Sequence, residues 1–142
     1  MKILIDSNVA LDVLLRRGAF YASALRVFGL ARGGYEVFVS ASTITDIYYI
    51  IRKLKQSKEF ALASIKNLLA MIDVASVSGN EIRLAANLDW GDFEDAVQYA
   101  VGESIAVDYV VTRNKADFAS AALPVVSPDE LLAILVPPVT EE

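Results

Sequence analysis

Four short groups of acidic residues occur along the chain at places where an α/β fold would bring them together. They are Asp6 after the apolar run 3–5, Asp46 within 42–50, Asp92 and Asp95 within 90–96, and Asp117 within 111–118. Carboxylates that converge repel one another, which raises their pKa values, and a bound divalent cation relieves the repulsion. Because the sequence contains no His and no Cys, the available ligands are oxygens, which suit Mg²⁺ or Mn²⁺ rather than zinc. The pattern therefore predicts metal-assisted phosphoryl chemistry.

The two earlier acids also have an ordinary structural interpretation. Asp6 could cap the helix that follows it, although Ser7 and Asn8 offer the same capping chemistry. Asp46 lies three residues after Thr43, a spacing that resembles a capping box with Asp in place of Glu. We interpret Asp6 as functional because Ser7 or Asn8 could cap the helix in its place. Asp46 alone would be interpreted as structural, and it is a candidate only because the other acids are expected nearby.

The two later groups each contain one candidate ligand. Asp92 and Asp95 are three residues apart at the start of a predicted helix, so they share a face. We expect Asp92 to cap that helix, Asp95 to be the ligand, and Glu94 to point into solvent. Asp117 and Asn114 follow a predicted strand, where they could supply oxygen ligands or stabilise a short helix.

Basic residues flank the last acidic group. Arg113 and Lys115 lie on either side of Asn114, and both could hold a phosphate. The remaining aspartates have no comparable position, and we interpret them as solvated or capping residues: Asp12, Asp73, Asp89, Asp108 and Asp129.

The charge distribution limits the kinds of partner. The chain has a net charge of −5, with ten Lys/Arg and five Asp/Glu in residues 1–72 but three and thirteen in residues 73–142. An acidic protein is a poor general binder of nucleic acid. A local basic face could still bind a phosphate backbone while the acids hold metal, although most of these charges fit an ordinary solvated surface.

Length and hydropathy predict a single cytoplasmic domain. We place the domain at residues 1–136 of the 142, followed by a loose tail at 137–142. No apolar run reaches the roughly 18 residues of a membrane span, and no signal-peptide pattern follows Met1. The hydrophobic fraction of 55% is high, which predicts a well-filled core together with an apolar surface for a partner chain.

Hydrophobic periodicity predicts the elements that position the acids. Strands are expected at residues 2–5, 36–40, 107–112 and 124–126, with a further strand or an extended link at 74–77. Helices are expected at residues 9–16, 20–31, 43–54, 58–72, 80–88, 92–103 and 127–135. Alternating strands and helices indicate an α/β fold with a mainly parallel sheet. In such a sheet, ligands bind beyond the carboxyl ends of the strands.

Four segments, taken in order, resemble the PIN domain, most of all its small bacterial VapC-like branch. They are LIDSNVALDVLL (4–15), ASTITDIYYIIRK (41–53), DFEDAVQYAV (92–101) and YVVTRNKADF (109–118). The resemblance implies a Rossmann-like three-layer α/β/α sandwich and an Mg²⁺- or Mn²⁺-dependent ribonuclease. It also implies frequent homodimers and, often, a toxin held by a separate antitoxin protein.

Carried over by position, the resemblance assigns roles to individual residues. Asp6 matches the acid after the first strand, Asp95 matches the acid of the late helix, and Thr112 matches the small hydroxyl residue of a T-x-D motif. A cation held by such acids would activate water for attack on phosphorus. No His is present to act as a general base.

Two positions depart from the family pattern. Asp46 stands where the family usually has Glu, and Asn114 stands where many members have Asp. Asp117, or Asp92, could replace the missing charge. The catalytic set is therefore expected to be Asp6, Asp46, Asp95 and Asp117, with the metal on all of these except Asp46, which acts directly or through water.

Two other functions remain open from the sequence. The first is a PIN-like module that binds RNA or protein through a weakened, inactive metal site, as the departures at residues 46 and 114 suggest. The second is a phosphatase with Asp6 as nucleophile. Such enzymes usually carry a second acid two residues later, where this chain has Asn8.

Overall fold

One parallel sheet forms the centre of the protein. The structure, a computed structural model, describes residues 1–136, and the tail expected at 137–142 lies outside them. The strands are β1 (Lys2–Ile5), β2 (Glu36–Ser40), β3 (Asp73–Ala75), β4 (Tyr109–Val111) and β5 (Val125–Val126). They pair in the order β3-β2-β1-β4-β5, and every pairing is parallel. The predicted α/β class is confirmed, and the uncertain segment near residue 74 is a strand.

Helices cover both faces of the sheet. They are α1 (Ser7–Leu14), α2 (Tyr21–Gly29), α3 (Ala41–Lys55), α4 (Lys58–Met71), α5 (Gly79–Leu88), α6 (Phe93–Ser104) and α7 (Pro128–Leu135). Ile3 and Ile5 point to the face packed by α1 to α4 and α7. Leu4 points to the opposite face, where α5 and α6 lie against the sheet. The result is the predicted three-layer sandwich.

The early helical region differs from the prediction. The segment expected as one helix at 20–31 is α2 flanked by short 3-10 turns at Gly18–Phe20 and Leu30–Gly33. Gly34 follows with φ of +93°, a conformation open to glycine at little cost. The helix expected from residue 9 begins at Ser7, because Asp6 caps it.

The strand order reverses beside β1. The chain adds β2 and β3 on one side of β1, then crosses to add β4 and β5 on the other. In open α/β sheets, the crevice beyond the carboxyl ends of the strands at such a reversal is the usual ligand site. Here it lies between the ends of β1 and β4, at Asp6 and Thr112.

None of the helices within residues 1–136 combines the length and the apolar character needed to span a bilayer.

Candidate metal centre

Asp6 lies at the centre of a hydrogen-bonded network in this crevice. Its Oδ1 accepts from the backbone N–H of Ser7 at 2.7 Å and from Nε2 of Gln98 at 2.9 Å. Its Oδ2 accepts from Oγ1 of Thr112 at 2.8 Å and from Nδ2 of Asn8 at 3.2 Å. The side chain is only 4% exposed. Asp6 thus caps α1, which confirms the structural interpretation, and it also faces the crevice, where its functional role stays a prediction.

Asp95 brings the late acidic group to Asp6. It lies in the first turn of α6 and is half-buried. Burial and, to a smaller extent, the charges of Asp6, Asp92 and Asp117 together raise its pKa to about 7. Asp92 caps α6 as predicted, since its Oδ1 accepts from the backbone N–H of Asp95 at 3.1 Å. These four acids therefore lie close enough to interact electrostatically.

Glu94 is part of the same cluster, and the expectation that it points into solvent is wrong. Burial, followed by the neighbouring carboxylate of Asp46, raises its pKa to about 8. Asp46 does not belong to a capping box, because α3 begins two residues before Thr43 and is capped by Ser40. The sequence analysis set Glu94 aside because adjacent residues of a helix point in different directions, and Glu94 is adjacent to Asp95. It could not show that Asp46, on another helix, lies close to the first turn of α6.

Asp117 and Asn114 both lie exposed on the loop after β4. Asp117 is exposed in a short 3-10 helix, Lys115–Phe118, and contributes to the pKa of Asp95. The backbone N–H of Asn114 donates to Oγ1 of Thr112 at 3.0 Å, and its side chain makes no capping bond. An open cleft of about 300 Å³ adjoins Asp117 and is lined in part by Trp90.

Arg113 is bound to an acid of the core. Its Nε and Nη2 donate to the carboxylate of Asp12 at 2.6 and 3.1 Å, and its guanidinium lies 4.0 Å from the centre of the Phe20 ring. Asp12 is completely buried, so its interpretation as a solvated or capping residue is wrong. The other aspartates set aside by the sequence interpretation are exposed: Asp73, Asp89, Asp108 and Asp129.

Lys115 is also engaged with an acid, although at the surface. Its Nζ lies 2.9 Å from Oε1 of Glu130, and both side chains are about half exposed. Exposed pairs of this kind contribute little to stability and exchange readily with solvent. Lys115 is therefore the more accessible of the two predicted phosphate contacts.

The sequence interpretation missed Gln98. Its amide is buried and donates to Asp6, as described above. The available signal was its position three residues after Asp95, which places both side chains on the same face of α6.

The donor set suits a hydrated hard cation. Within residues 1–136, no three carboxylates are arranged as a ready-made cage for a metal ion, although their charges interact. Mg²⁺ does not need such a cage, because it usually keeps several waters and binds through one or two carboxylates. Asp6 and Asp95 are placed to supply these, with Asp117 and Asp92 beside them.

Comparisons with known proteins agree with this architecture. The model of the PIN domain family matches residues 2–116. The chain is 25% identical over 137 residues to Ribonuclease VapC1 of Aquifex aeolicus (strain VF5), and the match covers 91% of this chain and 92% of that protein.

Solved structures share the fold at low sequence identity. VapBC2 from Rickettsia felis, bound to a DNA fragment from the promoter, superposes with a TM-score of 0.71 at 13% identity, covering 89% of this chain and 98% of the other. DNA-bound VapBC from Salmonella typhimurium gives 0.69 at 16% identity, covering 89% and 97%. The sarcin-ricin loop cleaving toxin VapC20 from Mycobacterium tuberculosis gives 0.63 at 16% identity, covering 76% and 86%.

Proposed function

Because the chain belongs to the PIN domain family, we propose that it is an endoribonuclease that hydrolyses RNA phosphodiester bonds with Mg²⁺ or Mn²⁺ as cofactor. The observation that carries this proposal is the meeting of Asp6, Asp95 and Asp117 at the reversal of strand order. The relationship to Ribonuclease VapC1 supports the choice of RNA as the substrate class.

The side chains of the site have separate tasks. Hydrogen bonds to both oxygens hold the carboxylate of Asp6 in one orientation. Burial and the neighbouring charges raise the pKa of Asp95 to about 7, so this carboxyl is only partly ionised at neutral pH, and a bound cation would favour its charged form. When bound, a divalent cation polarises a phosphate and lowers the pKa of water. Asp117 and Lys115 lie at the open side, where the RNA backbone would enter.

Cleavage of a panel of RNAs by the purified protein tests this proposal. We expect no cleavage in EDTA and recovery with Mg²⁺ or Mn²⁺. Asp73→Asn is the matched control, since Asp73 is an exposed acid of β3 outside the cluster, and this variant should cleave like the wild type. Cleavage that survives chelation would contradict the mechanism.

A binding module without catalysis is the second candidate. It is favoured by the amide of Asn114 where an acid is common and by the lack of a preformed three-carboxylate set in the described part of the chain. Filter binding with Mn²⁺ present separates the two: this candidate predicts RNA that is retained intact, whereas the enzyme releases fragments.

We further propose that the protein is the toxin of a toxin–antitoxin pair, acts in the cytoplasm and forms a homodimer. The solved VapBC assemblies that share its fold support an antitoxin partner. Exposed apolar side chains on α3 and α4, Tyr49, Leu54 and Phe60, lie among the basic residues of the first half and suit a partner segment that is apolar and acidic.

Two measurements test the proposed partners. Sedimentation should show a dimer at micromolar concentration, and a strict monomer at high concentration would count against it. Co-expression of a small protein from the neighbouring reading frame should suppress ribonuclease activity and co-purify with the chain. Unchanged RNA cleavage in the presence of this small protein would contradict the antitoxin proposal.

A further inference from the structure

Gln98 carries an unexplained polar atom. It is only 1% exposed, and its Oε1 is the sole buried side-chain nitrogen or oxygen without a hydrogen-bond partner among residues 1–136. Its Nε2 donates to Oδ1 of Asp6 at 2.9 Å. The unpaired oxygen therefore belongs to the same amide group that donates to the Asp6 carboxylate. The unpaired atom is therefore a feature of the metal centre.

The orientation of this amide is fixed by Asp6. If the amide turned over, Oε1 would face the carboxylate oxygen, and two acceptors would oppose each other without a proton. A buried carbonyl without a partner is unfavourable, and such groups in folded proteins call for a reason. An apolar side chain of similar length would avoid the penalty but would leave Asp6 without this donor.

We propose that Gln98 is a positioning residue of the metal centre: its Nε2 holds the carboxylate of Asp6 in the orientation that binds the cation, at the cost of a buried oxygen without a partner. This inference rests on the proposed function. Groups that orient the ligands of a metal typically contribute 10–100-fold to its affinity.

Gln98→Met is the informative variant, because Met is similar in length and has no amide. It removes the bond to Asp6 and the unpaired oxygen together, and since these act in opposite directions, the Tm of the metal-free protein should stay close to that of the wild type. The affinity for Mn²⁺, measured by calorimetric titration without RNA, should fall about 10–100-fold. The rise in Tm that Mn²⁺ causes should shrink accordingly.

Ser64→Ala is the control for loss of a buried polar group. Ser64 donates to the carbonyl of Phe60 within α4, away from the acids, so this variant should bind Mn²⁺ like the wild type. Gln98→Glu is the second test, because it replaces the donor to Asp6 with a second carboxylate. Its metal-free Tm should fall below that of Gln98→Met through repulsion from Asp6, and bound Mn²⁺ should restore part of this loss.

The outcomes separate the two proposals. Equal Mn²⁺ affinity for Gln98→Met and the wild type would overturn the inference and leave the ribonuclease proposal standing. If Gln98→Met does not fold, Gln98→Asn replaces it, because its amide is one methylene too short to hold Asp6 in the same way. An Mn²⁺ affinity equal to that of the wild type would then overturn the inference. A wild-type protein that binds no Mn²⁺ would overturn the metal-dependent function itself, and this inference with it.

Discussion

The carboxyl group of Glu94, at the start of α6, lies close to that of Asp46 on α3 and interacts with its charge. Burial is the main reason why the pKa of Glu94 is raised to about 8, and the neighbouring carboxylate of Asp46 acts in the same direction. The acid cluster therefore extends from the end of β1 to α3. Asp46, which is shorter than the usual Glu of the family, reaches the cluster through Glu94.

The metal-free protein should lose stability as pH rises through neutrality. Asp95 and Glu94 have ordinary pKa values of 3.8 and 4.5 but about 7 and about 8 in the fold. Between these limits the folded state binds more protons than the unfolded state, so the free energy of unfolding falls with rising pH. The favourable contribution is complete below about pH 4 and lost above about pH 8.

Denaturation in EDTA between pH 5.5 and 8.5 measures this dependence. Glu94→Gln should change little at pH 6, where Glu94 is already protonated, and should raise Tm at pH 8.5. After discounting for solvent screening, we expect an effect of about 1 kcal/mol, or about 2–4 °C. The same change at both pH values would show that the interaction with Asp46 does not depend on the proton.

Asp6→Asn and Asp95→Asn should both abolish cleavage but have opposite effects on stability. Both oxygens of Asp6 accept hydrogen bonds, and the amide nitrogen of Asn would face one of these donors, so we expect a loss of about 1–3 kcal/mol. Asp95→Asn removes a repelled charge and should raise Tm at pH 8. Urea denaturation, alongside the RNA assay, checks both. Normal cleavage by either variant would show that the site is wrongly placed.

Asp117 should carry the metal role on the loop after β4. Asp117→Asn removes a charge that acts on Asp95 and should weaken Mn²⁺ binding far more than Asn114→Ala. Asn114→Asp adds a charged oxygen ligand beside the cation and should tighten Mn²⁺ binding. Calorimetric titration of the three variants decides between them. If Asp117→Asn binds Mn²⁺ as tightly as the wild type, Asp117 has only a structural role in the short 3-10 helix.

Asp12→Asn should destabilise the protein without removing any metal ligand. Asp12 is fully buried and bound by two nitrogens of Arg113, and breaking a buried pair leaves the partner charge uncompensated. We expect a loss of about 3 kcal/mol in the free energy of unfolding. Urea denaturation measures it, with Asp129→Asn as the exposed control. A loss similar to that of the control would mean that solvent reaches Arg113 freely.

Local patterns were sufficient for the architecture. The apolar run Ile3–Ile5 followed by Asp6 predicted a buried strand that ends at the ligand edge, and the parallel sheet followed from the alternation of elements. The helix expected at 127–135 is likewise observed, as α7, with Ser127 as its cap and Pro128 as its first residue. These signals lie within a few residues of one another, so one sequence is enough to detect them.

The contacts that complete the site could not be found in this way. Glu94 meets Asp46, Arg113 meets Asp12, and Gln98 meets Asp6 only after the sheet has formed. Each pair joins elements far apart in sequence, and nothing in the local spacing of either partner specifies the other. The predicted strand 107–112 was also too long, because pairing with β1 covers only Tyr109–Val111.

The placement of β1 in the middle of the sheet has a consequence for the newly made protein. Asp6 is synthesised early, but two of its partners follow 92 and 106 residues later, at Gln98 and Thr112. At about 5–20 residues per second, this interval lasts about 5–20 s. During translation the first strand therefore exists without the neighbour that completes the crevice. A chain released before Asp117 lacks part of the proposed centre, so we expect no ribonuclease activity until that residue has been made.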